Sequence, residues 1–188
     1  MQRIPTRLEG PVLIEPKVIG DERGFFAETY RAGVMAETFA ITEPFVQDNH
    51  SRSARGVVRG MHFQIGAGVS KLVRCGRGAI LDVVVDLRVG SPTYGEWESA
   101  ELTEDDMRIL YVPVGFAHGF CVLSDVADVL YKQSGYYSAE TERGISYRDP
   151  DLAIVWPFGD AELLPSARDS EAPRLAEVES ELGFVYAG

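Results

Sequence analysis

The chain has 188 residues, 45% of them hydrophobic, and its 18 basic against 29 acidic residues leave a formal charge of −11. That balance argues against a nucleic-acid phosphate backbone or an anionic membrane as partner, and any phosphate ligand must be met by a local concentration of the few cations. The length suits one domain, residues 1–188, with one sizeable core on which N-terminal strands and a C-terminal tail from residue 149 pack.

Met1 to Gly10 mixes Arg3, Arg7 and Glu9 with Pro5, offers no apolar h-region, and is followed by no run of membrane-span length, so neither secretion nor membrane insertion is expected. Short β-type runs then recur: Val12 to Ile19, Gly24 to Tyr30, Pro44 to His50, Val57 to Gln64, Lys71 to Cys75, Ala79 to Arg88, Trp97 to Leu102, Ile109 to Val112, His118 to Leu123 and Val126 to Tyr137. Glycine, proline and small polar residues punctuate them, as in an all-β sandwich or barrel. Arg31 to Phe39 reads as one surface helix, and Thr103 with Asp106 as a capping box over a single turn. A last helix is expected from Pro173 through Leu175, Val178 and Leu182. Between it and the strands, Asp149 to Asp169 reads as an ordered strap. Cys75 and Cys121 fall inside apolar runs, which suggests two buried, reduced thiols in a cytoplasmic protein.

The residues that suggest chemistry follow the same order. Asp21-Glu22-Arg23-Gly24-Phe25-Phe26 reads as a turn entering an aromatic strand, with Arg23 by default an ordinary turn arginine; Arg23, Glu28, Gln47, Asn49 and Arg59 form a polar group over the first third of the chain, each ordinary when taken singly, and a diphosphate would need several such donors. In Val58-Arg59-Gly60-Met61-His62-Phe63-Gln64, alternation sets His62 and Arg59 on opposite faces, so a shared ligand requires a bulge at Gly60 or must reach past the strand end. Lys71 opens an apolar run, where an ammonium is costly unless it meets an anion or lines a cavity. The strand Ile80-Leu81-Asp82-Val83-Val84-Val85-Asp86-Leu87 is apolar enough to be buried on both faces. Asp86 and Arg88 would mark its wet end. Asp82 is either a satisfied structural carboxylate or part of a ligand site. His118 sits among glycines that allow close approach, and Tyr131 offers a phenol. A metal site of the His-x-His type would need glutamine as its second ligand at Gln64, a poor replacement for imidazole, so no metal is expected.

Taken together, Asp21 to Phe26, Gln47-Asp48-Asn49, Arg59 to Gln64, Lys71 to Cys75, Asp82 to Arg88, Gly115 to Phe120, Leu130-Tyr131-Lys132 and Tyr136-Tyr137 resemble the dTDP-4-dehydrorhamnose 3,5-epimerase family from about Gly10 to Pro173. The resemblance implies a cupin-like jelly roll that uses no cofactor and no metal, and a homodimer whose N-terminal strands extend the partner's sheet. It implies a dTDP-4-keto-6-deoxyhexose substrate inverted at C3 and C5. His62 would be the base, Tyr131 the acid, Asp169 the residue that orients His62, and Lys71 the cation at the C4 oxygen. Arg23, Glu28, Gln47, Asn49, Arg59, His118, Tyr137, Glu142 and Arg168 would hold the substrate; Arg168 stands where the family commonly has lysine. An epimerase of C3 or C5 alone, a non-catalytic sugar-nucleotide binder and a metal-dependent cupin stay open as alternatives.

Overall fold

The computed structural model describes residues 1–187. Its strands are β1 (Gln2–Ile4), β2 (Val12–Glu15), β3 (Val18–Asp21), β4 (Gly24–Ala27), β5 (Gln47–Ala54), β6 (Val58–Gln64), β7 (Lys71–Arg77), β8 (Ala79–Asp86), β9 (Trp97–Thr103), β10 (Ile109–Val112), β11 (Phe116–Val122), β12 (Val126–Gln133) and β13 (Glu142–Gly144). They form a six-stranded sheet in the order β1-β2-β10-β7-β12-β5, a five-stranded sheet in the order β13-β6-β11-β8-β9, and a separate β3-β4 hairpin. Every pairing is antiparallel. This is an all-β, cupin-like jelly roll.

Period-two alternation sorts the side chains between the layers. Leu13, Val73, Ile80, Val84, Leu110, Phe116, Phe120 and Val129, drawn from both sheets, meet in a shared apolar cluster. Their neighbours in sequence, Met61, Phe63, Val83, Val85, Ala117 and Cys121, lie on the other face of the five-stranded sheet, where Leu152, Leu163, Leu175, Val178 and Phe184 of the tail cover them. At about 1.5–3 kcal/mol for each fully buried aliphatic or aromatic side chain, that cover is a substantial part of the fold's stability. It also accounts for the apolar run of β8, which has both faces buried.

Some elements differ from the sequence expectation. The run Val12 to Ile19 divides at Pro16, which has no N–H for a ladder, so β2 stays in the main sheet while β3 departs into the hairpin. Phe25 and Phe26, in a strand whose aromatics are core by default, are 63% and 69% exposed there. The helix expected at Arg31 is α1 (Ala32–Phe39), which lays Met35 and Phe39 on Ile14, Leu72 and Ile109. The Thr103 turn forms as expected, with Asp106 N–H donating to Thr103 Oγ1 at 3.1 Å and Thr103 N–H to Asp106 Oδ1 at 3.3 Å. The tail holds a short α2 (Ala167–Ser170), and the last helix is only α3 (Leu175–Val178) continued by a 3₁₀ turn.

Asp86 is not at a wet end. It is fully buried, and its carboxylate accepts from Arg88 Nε at 2.9 Å, Ser91 Oγ at 2.6 Å and Thr93 Oγ1 at 2.7 Å. Burial works to raise its carboxyl, but these donors outweigh it and hold the group below the ordinary carboxylate value. The turn after β8 folds its hydroxyls back over the strand end, a return that the strand's own pattern cannot announce.

Candidate active site

At one end of the space between the sheets the interior face turns from apolar to polar. On β5 the exposed Asp48, His50 and Arg52 alternate with Gln47, Asn49, Ser51 and Ser53, which are less exposed. Register places Gln47, Gln133 and Lys71 in one row and Asn49, Tyr131 and Val73 in the next. On the facing sheet, His62 pairs with His118 and Arg59 with Phe120, so Gly60 and Met61 together oppose the single Gly119. This bulge turns Arg59 and His62 to the same side. Gly60 has φ +141° and lies so near β11 that an added Cβ would come 2.5 Å from Gly119 Cα.

The result is a cavity of about 480 Å³ lined on its polar side by Arg59, His62, Lys71, His118, Tyr131 and Asp169, with Ser51, Glu142 and Arg168 at its margins and Val58, Phe120 and Leu164 as an apolar wall. The tail reaches it through Leu164, whose N–H donates to Gly56 O at 2.8 Å and whose carbonyl accepts from Val58 N–H at 3.2 Å. Ser166 then caps α2, its Oγ accepting the backbone N–H of Asp169 at 3.1 Å, which anchors the backbone from which the Asp169 side chain projects.

His62 Nε2 lies 2.6 Å from Asp169 Oδ1. Burial pushes the Asp169 carboxyl up, but the hydrogen bond and charge of His62, with help from Ser166 and the Gly60 backbone, leave it below the ordinary value. Asp169 is therefore a carboxylate that accepts Nε2–H of His62, which leaves Nδ1 as the nitrogen that carries the lone pair in the neutral ring. A second imidazole–carboxylate pair stands beside the first. His118 Nε2 is 2.9 Å and 3.0 Å from the two oxygens of Asp82, and His118 Nδ1 is 3.5 Å from Lys71 Nζ. Burial, with the Lys71 charge, lowers the His118 pKa against the pull of Asp82, so the ring is neutral at pH 7. Burial lowers Lys71 to about 8, opposed by Asp82 and Glu142. The Tyr131 phenol is raised by burial and by Glu142, against Arg59, and keeps its proton.

Around the mouth, Glu142 accepts from the Tyr137 hydroxyl at 3.0 Å and pairs with Arg168. Asn49 Nδ2 donates to Gln133 Oε1 at 2.7 Å, and Gln47 Oε1 accepts Tyr137 N–H at 2.9 Å. Arg59 Nε donates to Ser53 Oγ at 3.0 Å. An imidazole with a free lone pair, a phenol and an ammonium in one cavity can move a proton on carbon while stabilising a developing oxyanion.

Residues 5–177 match the family model described as dTDP-4-dehydrorhamnose 3,5-epimerase. The chain belongs to this family. A dTDP-4-dehydrorhamnose 3,5-epimerase of Pseudomonas aeruginosa is 48% identical over 93% of this chain and 97% of its own. Among solved structures, a dTDP-6-deoxy-D-glucose-3,5-epimerase of Legionella pneumophila in complex with dTDP-4-keto-L-rhamnose superposes with TM-score 0.95 at 45% identity, covering 100% of this chain and 99% of the other. A 4-keto-6-deoxy sugar epimerase from the novobiocin gene cluster of Streptomyces spheroides gives TM-score 0.93 at 45% identity, over 100% and 94% of the two chains.

Of the residues that the resemblance to the dTDP-4-dehydrorhamnose 3,5-epimerase family indicated, His62, Tyr131, Asp169, Lys71, Arg59, His118, Glu142 and Arg168 line the cavity. Gln47, Asn49 and Tyr137 adjoin it through their hydrogen bonds. Arg23 and Glu28 do not reach it: Arg23 caps the exposed β3-β4 hairpin against Asp21, and Glu28 pairs with Arg31. Among the described residues, no three His, Cys, Asp or Glu side chains are grouped to hold a metal ion. Gln133, Ser51 and Ser166 were not singled out from the sequence; strand alternation gave a signal for the first two, and nothing local gave one for Ser166.

Proposed function

We propose that the protein is a cofactor-independent epimerase of dTDP-4-keto-6-deoxyhexoses, inverting C3 and C5 of dTDP-4-dehydro-6-deoxy-D-glucose to give dTDP-4-dehydro-L-rhamnose. The observation that carries this reading is the convergence of the His62–Asp169 pair, Lys71 and Tyr131 on one cavity. A proton on carbon beside a ketone leaves at a useful rate only when the enolate oxygen is stabilised as it forms, and one preplaced donor is worth about 2.7–4 kcal/mol. Lys71, charged below about pH 8, has that part at the C4 oxygen. His62 takes the carbon-bound proton, a step worth about 10²–10⁴-fold for a positioned base, and Asp169 stabilises the imidazolium. Tyr131, still protonated, returns a proton to the opposite face. The C4 ketone acidifies C3 and C5 alike, so the same pair can act twice once His62 has released its proton to solvent, Tyr131 has regained one, and the sugar ring has shifted to present the second carbon.

Arg59 and Arg168 hold the diphosphate, with Gln47, Asn49, Glu142 and Tyr137 placing the nucleotide and His118 the sugar. Arg23 and Glu28 belong to the same role through a homodimer: the hairpin that carries Arg23 exposes Ile19, Phe25 and Phe26, and β5 ends the six-stranded sheet with a free edge that a partner's strands would extend. Two buried free thiols suit a cytoplasmic enzyme, and among the described residues no helix is long and apolar enough to cross a membrane.

The test is proton NMR of the dTDP-keto sugar in D2O. Deuterium at both C3 and C5 is expected, lost in His62→Ala while dTDP binding persists; Tyr131→Phe should exchange but invert poorly. Deuterium at C3 alone would replace double with single epimerisation, and exchange undiminished in His62→Ala would refute the mechanism.

A further inference from the structure

We infer that Asp82 is a positioning residue for this reaction, acting through His118 to keep the Lys71 ammonium charged and aimed at the substrate's ketone oxygen; the inference rests on the epimerase reading above.

Asp82 projects from β8 between Ile80 and Val84, two members of the apolar cluster between the sheets, and is fully buried. A carboxylate in such a place needs donors. Two other buried carboxylates show what a structural solution looks like: Asp86 takes Arg88, Ser91 and Thr93 of a turn, and Asp149 takes the N–H groups of Asp151 and Leu175. Each of those sets ties loop backbone or side chains to the fold and ends there. Asp82 instead turns both oxygens to one imidazole N–H, that of His118, at 2.9 Å and 3.0 Å. The other nitrogen of this ring is 3.5 Å from Lys71 Nζ in the cavity. With Nε2–H fixed on the carboxylate, Nδ1 can only accept, and it accepts from the ammonium. The chain of contacts thus runs from a buried anion to the cavity's cation.

The groups that face Lys71 are His62 and Arg59 from β6, Asp82 from β8, His118 from β11, Tyr131 from β12 and Glu142 from β13. His118 is neutral, Glu142 is already paired with Arg168, and Asp169 serves His62. Asp82 is the carboxylate of this set that no arginine matches, and it is the first charge opposing the desolvation of Lys71.

Asp82→Asn keeps shape, and its Oδ1 can still accept from His118, while the charge is gone. Removing an opposite charge shifts a neighbouring group by about one pH unit or more. The expected result is an alkaline limb of kcat near pH 8 in the wild type that moves down by about one unit in Asp82→Asn, so that kcat lost at pH 8 returns at pH 6 while KM stays within about twofold. A merely structural aspartate would lower activity at every pH. Histidine ¹⁵N NMR of the wild type should show His118 protonated at Nε2, a reading available even if the variant fails to fold. An unchanged alkaline limb, or Nδ1 protonated in His118, overturns the inference. If the wild type exchanges no substrate hydrogen with solvent, the epimerase reading fails and this inference with it; if it does exchange, a failure concerns Asp82 alone.

Discussion

His62 and Asp169 are 107 positions apart in the chain and 2.6 Å apart in space, joined because a four-residue helix in the tail lays its one buried carboxylate against β6. The pair fixes which imidazole nitrogen is free, so its loss should cost chemistry rather than binding. Asp169→Asn is expected to lower kcat by about 10²–10⁴-fold, in line with the loss of an orienting carboxylate beside a general base, with KM nearly unchanged. Steady-state kinetics decides; a variant that keeps kcat and raises KM would show Asp169 holding substrate instead.

Lys71 sets a conflict between activity and stability. Its amine falls from 10.5 to about 8 in the fold because burial disfavours the charged form. A base with a lowered folded pKa weighs on the fold while both states are charged, below about 8, and the burden lifts as pH rises from 8 towards 10.5. Lys71→Met should therefore lose about 10²–10³-fold in kcat, the value of one oxyanion donor, yet melt at a higher temperature at pH 7. The gain in Tm should shrink between pH 8 and 10.5. Equal Tm values across that range would mean that the ammonium is fully solvated.

What the sequence made legible, and what it did not, divides by physical range. Alternation is local, so the inward side chains of β5, the apolar run of β8 and the conflict between Arg59 and His62, with a bulge at Gly60 as one of its two resolutions, could all be read from neighbouring residues. The partner of a buried polar group is not local. Nothing in Ile80 to Leu87 says that Asp82 meets His118 or that Asp86 meets Ser91 and Thr93, and so the first was left open and the second was assigned to solvent. Asp169 could be named only through the family resemblance, because a carboxylate in a proline-broken tail has no period that aims it at a histidine. Arg23 and Glu28 carry the same limit further: a single chain holds them away from the cavity, paired with Asp21 and Arg31, and only the homodimer proposed above would give them a part in a site.

Gly60 offers a test of the bulge. A Cβ there would meet Gly119 Cα at 2.5 Å and His118 O at 3.1 Å, and both are backbone atoms that cannot rotate aside. The positive φ of +141° adds strain for any other residue. Gly60→Ala should cost about 1–3 kcal/mol or more, which for a domain of this size lowers Tm by roughly 2–4 °C per kcal/mol. Because Arg59 and His62 flank the bulge, dTDP affinity and turnover should fall together. A variant that melts and binds as the wild type does would mean that β6 reaches β11 less closely than described.

Cys75 and Cys121 sit at 1% and 0% exposure, and burial pushes both thiols from 9.0 up to about 11. Only a thiolate attacks a disulfide reagent or an alkylating agent, so at pH 8 the native protein presents almost none, and what it presents is out of reach. A thiol assay at pH 8 should count no fast-reacting sulfur in the native protein and two in denaturant. The same shift has a consequence for stability. An acid whose folded pKa is raised keeps its full contribution below the unfolded value, here 9.0, and loses it as pH climbs through about 11. Denaturation midpoints should fall across that interval, and replacing either cysteine by alanine should make the fall shallower, at the cost of a small cavity. Rapid labelling of one thiol in the native state would show that its strand opens locally, at β7 if it is Cys75 and at β11 if it is Cys121.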